Sequence, residues 1–172
     1  EMEDGWRLFG DNGLMTVGWY RSGEYRYYFR EDGTMAAGPT EIDGQIHYFT
    51  PKGIEVVLVN GLNPVPDWYE PELVTLTGDH QVAAQCYDAL VRMLDDCNAA
   101  GIEYEFNSGY RTLSTQTAIL EYRTREHMET YKLNFKDARD KALETVAVPG
   151  TSEHHLGLAV DLLGKEAIAW FT

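Results

Sequence analysis

Phe9, Phe29 and Phe49 fall twenty residues apart, and Gly13, Gly33 and Gly53 keep the same step. Gly18 and Gly38 repeat it, as do Met15 and Met35. A fixed period of this length marks a repeat array, and it restricts the fold of the first sixty residues more than any local propensity does. Each unit reads aromatic, three residues, glycine: FGDNG, FREDG, FTPKG. An aromatic strand, an Asn-Gly or Asp-Gly turn and a second short strand make a β-hairpin. A lone hairpin is only marginally stable, so the units must stack on each other or on a neighbour.

Past Asn60 the pattern changes. NGLNPVPDWYEPEL contains Pro64, Pro66 and Pro71 and reads as an extended lead-in. DHQVAAQCYDALVRMLDDCNAAG sets Val82, Cys86, Leu90, Leu94 and Cys97 at helical spacing, with Asp79 as N-cap and Gly101 as C-cap. IEYEF alternates Ile102, Tyr104 and Phe106 as a strand does. After the turn SGYRT, helices are predicted over about 114–131 and 135–146. LGLAVDLL is a second strand and KEAIAWFT opens a further helix. Intermixed helices and strands make this part α+β. The predicted organisation is therefore stacked β-hairpin repeats over 1–58 and an α+β domain over 59–172.

Composition narrows the function. With 14 basic against 28 acidic residues the formal charge is −14, which argues against nucleic acid or an anionic membrane as the main partner. At 44% hydrophobic the chain can bury a core, yet no stretch approaches the ~18 apolar residues of a membrane span. Cys86 and Cys97 lie three helical turns apart, roughly 16 Å, beyond disulfide reach, and read as buried apolar residues. The opening EMEDGW has no leader pattern and reads as a processed start.

The densest chemistry lies in VPGTSEHHLGLAVDLLG, residues 148–164, where His154, His155 and Asp161 stand among small and apolar residues. In a strand from Leu156 onward, Leu156, Leu158, Val160 and Leu162 face a core, while Gly157, Ala159 and Asp161 face the other way. Two tiny side chains beside a carboxylate leave open space. His154 has the wrong parity to share that face, so the chain must bend before Gly157 for His154 and Asp161 to converge. A converging imidazole and carboxylate suit a zinc ion. Spacing alone favours a structural His–Asp pair over zinc. His47, His80 and His127 belong to no motif and read as surface residues.

Two resemblances follow from these segments. GWYRSGEYRYYFREDGTMAAG, residues 18–38, resembles the choline- and glucan-binding cell-wall repeats of Gram-positive surface proteins. That resemblance implies either aromatic cages that hold a quaternary ammonium or a purely structural stalk. Pro39 stands where a second tryptophan like Trp19 is expected, which removes one cage wall.

SEHHLGLAVD, together with SGYRT and Gln116 about 40 residues upstream, resembles the VanY-like D-alanyl-D-alanine carboxypeptidases, the zinc LD-/DD-carboxypeptidase family. The lead-in LVNGLNPVPDWYEPELV and the approach VAVPGTSEH are similar to the same family. The resemblance implies a Zn2+ cofactor held by His154 and Asp161, and a peptidoglycan peptide ending in D-Ala-D-Ala as substrate. It implies that Arg111 holds and polarises that peptide, with Ser108, Gln116 and Ser152 lining the site. His155 falls at a variable position and stays outside the metal set. A cell-wall substrate implies an extracellular or wall-associated protein, with the repeats holding a wall polymer or choline. The family takes its third zinc ligand and catalytic glutamate from a later E-x-W-H-type segment, which the sequence does not reach by Thr172. The expectation is thus a carboxypeptidase cut short, with little activity of its own. The alternative is a non-catalytic cell-wall-binding protein.

Overall fold

In a computed structural model of the protein, which describes residues 5–23 and 25–164, the twenty-residue period reappears as hydrogen-bond geometry. Strand β1 (Gly18–Ser22) pairs antiparallel with β2 (Tyr25–Phe29), and Gly18 faces Phe29. One period on, β3 (Gly38–Ile42) pairs with β4 (Gln45–Phe49), and Gly38 faces Phe49. The Met35 N–H donates to the Trp6 carbonyl, and the Glu55 N–H donates to the Arg26 carbonyl, so each unit is stitched to the one before. Gly33 and Gly53 both hold φ of 77°. A Cβ at Gly33 would overlap the sulfur of Met15, and one at Gly53 the sulfur of Met35. Methionine and glycine share the period because each methionine packs on the glycine of the next turn.

The stack changes character along its length. Trp6, Tyr20, Tyr27, Phe29 and Met35 line a pocket of about 510 Å³. Twenty residues on, the corresponding positions are Arg26, Thr40, His47, Phe49 and Glu55. Here the chain supplies its own cation. The Arg26 guanidinium carbon lies 3.5 Å from the centre of the Trp19 ring. Glu55, nearly buried, faces Arg26 at 3.5 Å and His47 Nδ1 at 2.7 Å. Burial pushes the Arg26 pKa down, and the Glu55 carboxylate pulls it back up. Phe49, Ile42 and Ala36 form the core of this stack, with Trp19 and Tyr28 packed against them. Pro39 is exposed opposite Tyr48. His47 is therefore not the surface residue the sequence suggested.

Two compact units divide between Val57 and Leu58. In the second, β5 (Leu73–Thr77) and β6 (His80–Ala83) form an antiparallel hairpin before α1 (Ala84–Ala99). This corrects the predicted helix start. Asp79 sits in the hairpin turn beside Gly78 (φ 54°), and Ala83 begins the helix without a side-chain cap. Val82, assigned to a helix face, is fully buried on β6 instead. Strand pairing of 73–83 overrides the helical spacing because the first apolar position serves either element. Gly101, at φ 71°, follows the helix end as expected of a C-terminal glycine. Cys97 is buried, whereas Cys86 is partly exposed with its thiol directed at the Ala83 carbonyl.

Strand β7 (Glu105–Ser108) leads through a four-residue turn into α2 (Leu113–Tyr131), whose N-cap Thr112 accepts from the Thr115 N–H. Helix α3 (Phe135–Ala142) is capped by Asn134 and ends earlier than predicted, although Val146 still packs on Leu120 and Ala142. Strand β8 (Asp161–Leu163) pairs antiparallel with β7. The fold is α+β, and among the described residues no helix is long and apolar enough to cross a membrane. The helix predicted from KEAIAWFT lies outside the described residues. His80 packs on Phe106 and His127 on Tyr131, both part-buried and not fully on the surface.

Candidate active site

Two glycines seat the site on β6. Gly109 passes so close to the Gln81 carbonyl that a Cβ would overlap it, and the Tyr110 N–H donates to that carbonyl at 2.7 Å. Gly157, at φ 70°, accepts from the Ala83 N–H at 2.9 Å, and a Cβ there would lie 2.8 Å from the Ala83 nitrogen. SGYR and EHHLG are thereby fixed against one strand. The Tyr69 hydroxyl adds a bond to the Leu156 carbonyl, tying the proline-rich lead-in to the same loop.

The predicted strand over 156–163 forms only over its last three residues, Asp161–Leu163. Glu153–Leu156 is a 3₁₀ turn, with Ser152 at its N-cap accepting from the His154 N–H and Gly157 closing it in the left-handed conformation. Leu156 is buried, but Leu158 is 47% exposed, so strict alternation fails. The required bend before Gly157 is this turn, and it brings His154 to Asp161 at the start of β8.

At the site, His154 Nε2 lies 3.4 Å from Asp161 Oδ2. Its other nitrogen, Nδ1, donates to the Gly109 carbonyl at 2.7 Å, which orients the ring with Nε2 toward the carboxylate. Arg111 carries three side-chain contacts: Nε to Ser108 Oγ at 2.7 Å, Nη1 to Gln116 Oε1 at 3.4 Å, and Nη2 paired with Asp161. Gln116 is essentially buried and spends its amide N–H on the Ala147 carbonyl at 2.9 Å. Ser152 is buried beside His154. All six residues singled out from the sequence thus gather in one place. Arg111, Gln116, Ser152, His154 and Asp161 line a cleft of about 700 Å³.

The donor set fits a zinc ion in part. A neutral imidazole nitrogen with its partner nitrogen held by a carbonyl, beside a carboxylate, is the usual chemistry of a zinc ligand pair. Among the described residues no group of three or more His, Cys, Asp or Glu gathers to hold a metal. A catalytic zinc takes three donors from protein, and His154 and Asp161 could offer two of them.

His155 does something else. Its Nδ1 donates to the Arg111 carbonyl at 2.7 Å, and its Nε2 accepts from the Gly150 N–H at 3.0 Å. It is 8% exposed, with both ring nitrogens occupied. Sequence reasoning excluded it from the metal set but missed this cross-link, along with the Gly109 carbonyl. It also missed the continuation of the cleft over Ile119, Tyr122 and Arg123. The i, i+3, i+7 spacing of Gln116, Ile119 and Arg123 was the available signal.

Comparison with known proteins finds a match for each part of the chain. The choline-binding repeat family matches residues 16–57. The VanY D-alanyl-D-alanine carboxypeptidase family matches residues 79–170, more than half of the chain. A D-alanyl-D-alanine carboxypeptidase of Enterococcus faecalis is 34% identical over 122 residues, covering 67% of this chain and 45% of that protein. The chain thus spans about half the length of this curated relative. VanYB in complex with D-alanine-D-alanine superposes with a TM-score of 0.63 at 34% identity, covering 67% of each chain. A VanY D,D-pentapeptidase from a VanB-type resistance cassette, in complex with Zn(II), gives 0.60 at 36% identity, covering 63% of this chain and 61% of that one. By its second unit, the chain belongs to the VanY D-alanyl-D-alanine carboxypeptidase family.

Proposed function

We propose that the second unit is a zinc-dependent carboxypeptidase that removes the terminal D-alanine from peptidoglycan stem peptides ending in D-Ala-D-Ala. The repeats keep it at the cell wall, outside the cell. The convergence of His154, Asp161 and Arg111 at one cleft carries this reading. His154 Nε2 and Asp161 would hold the zinc. Bound there, zinc supplies Lewis acidity toward the scissile carbonyl and activates water.

The chain's own residues bind and orient. A guanidinium offers a planar pair of donors to a terminal carboxylate, and Arg111 is the cleft's arginine nearest the metal donors. Ser108 and Gln116 fix the guanidinium plane from two sides, and His155 fixes the Arg111 backbone. Ser152 starts the turn that presents His154. Asp161 is the one carboxylate in the described lining, and holding the metal occupies it. The described lining thus offers no second carboxylate to accept a proton. In the repeats, the pocket of Trp6, Tyr20 and Tyr27 suits a quaternary ammonium such as choline, or a sugar face of a wall polymer.

The presence of two metal donors among the described residues favours a second reading, a non-catalytic wall-binding protein. Incubation with zinc and a peptide ending in D-Ala-D-Ala separates the two. Zinc-dependent release of D-alanine supports the enzyme. Binding of choline or wall glycan with no release supports the second reading and overturns the first.

A further inference from the structure

The cleft does not end at His154 and Asp161. Its lining continues along one face of α2, where Gln116, Ile119 and Arg123 stand at i, i+3 and i+7. Arg123 lies two turns beyond Gln116, about 10 Å of axial rise. Ala118, Ile119 and Val146 form an apolar floor in the same cleft.

Charge in the cleft runs against the chain as a whole. Acidic residues outnumber basic ones 28 to 14 overall, yet the described lining holds Arg111, Arg123 and one carboxylate, Asp161, already paired with Arg111. The mechanism above uses Arg111 and leaves Arg123 unassigned. Arg123 pairs with Glu126 three residues along its own helix, at 2.7 Å, but the two side chains are 50% and 38% exposed. Exposed helix pairs of this kind are weak and screened, so a ligand carboxylate exchanges readily with Glu126.

We propose that Arg123 is a specificity-determining residue that binds a second carboxylate on the peptide. The preferred substrate is an acidic peptide, with a side-chain carboxylate about three residues from the terminal carboxylate held at Arg111. An extended peptide advances about 3.3 Å per residue, so the about 10 Å of helix rise from Gln116, which accepts from Arg111, to Arg123 corresponds to about three residues. The apolar floor suits small apolar side chains between the charges. This inference rests on the reading of Arg111 as the anchor of the terminal carboxylate.

Calorimetry in low-salt buffer with zinc tests it, using acetyl-Glu-Ala-D-Ala-D-Ala and its neutral counterpart acetyl-Gln-Ala-D-Ala-D-Ala. The wild-type chain is expected to bind the acidic peptide about fivefold more tightly, the size of a favourable exposed ion pair. In Arg123→Gln the ratio falls to about one, and in Arg123→Glu it inverts. Equal binding by the wild type, or a preference that survives Arg123→Gln, overturns the inference while an Arg111-dependent affinity for both peptides leaves the proposed function standing. An Arg123-dependent preference that persists when both peptides end in L-Ala-L-Ala supports Arg123 and overturns the D-alanyl specificity. Failure of the folded wild type to bind either peptide overturns both.

Discussion

Replacing His155 with phenylalanine keeps the volume of a buried ring and removes both of its hydrogen bonds. The Arg111 carbonyl at 2.7 Å and the Gly150 N–H at 3.0 Å each lose their ring partner inside the protein. A backbone group left unsatisfied away from water costs about 1–3 kcal/mol, so these two part-buried groups together amount to at most roughly 2–6 kcal/mol. For a unit of this size each kcal/mol lowers Tm by about 4 °C, which gives a fall of at most roughly 8–24 °C. The described α-helices all lie in the second unit, so circular dichroism at the helical band follows that unit alone. Zinc titration in the cold, where the variant is still folded, is expected to be close to wild type because His155 has no free ring nitrogen to offer. His155→Gln, whose amide both donates and accepts, should recover part of the stability. The neighbouring His154→Ala should behave in reverse, losing zinc affinity with a smaller change in Tm. Loss of zinc binding in folded His155→Phe, at unchanged Tm, would refute the division of labour between the two histidines.

Arg111→Lys keeps the charge but loses the planar donor pair. Affinity for a D-Ala-D-Ala peptide should fall about 10- to 100-fold, the range of one charged hydrogen bond, with a Tm change of a few degrees in the same melts. Glu55→Ala leaves Arg26 part-buried on Trp19 without its carboxylate and takes the partner from His47. The repeat unit is expected to lose about 1–3 kcal/mol, read by tryptophan fluorescence in urea. Asp32 is held below the usual carboxylate range, chiefly by the Thr34 hydroxyl and then by the Thr34 N–H. A carboxylate with a depressed folded pKa stabilises above its unfolded value, about 3.9, and loses that contribution as pH falls through the folded value. The repeat unit should therefore weaken below about pH 4, and Thr34→Val should flatten this dependence in acid titrations followed by fluorescence.

The hairpin stack was legible because the period fixes two things at once, the strand register and the methionine-on-glycine contact that joins units. The site was legible through SGYRT and SEHHLGLAVD, since each motif sits on a glycine pressed against β6 and no other residue fits there. The start of α1 was not. Asp79 looks like an N-cap until Leu73–Thr77 is available to pair with His80–Ala83, a long-range competition that local spacing does not encode. Residues 156–162 misled for a related reason: alternation of leucine, valine and glycine suits a strand, but Ser152 capping and the left-handed Gly157 wind the approach into a 3₁₀ turn. The role of His155 depends on where Gly150 and the Arg111 carbonyl arrive in space, so adjacency to His154 could only place it near the site.

X-ray absorption at the zinc edge, on the chain loaded with one equivalent of zinc, tests the central claim most directly. An imidazole nitrogen and a carboxylate oxygen are expected in the zinc shell, with the imidazole contribution lost in His154→Ala, the carboxylate contribution reduced in Asp161→Asn, and both retained in His155→Phe. A zinc shell unchanged by His154→Ala and Asp161→Asn would contradict the claim that these two residues form the metal site.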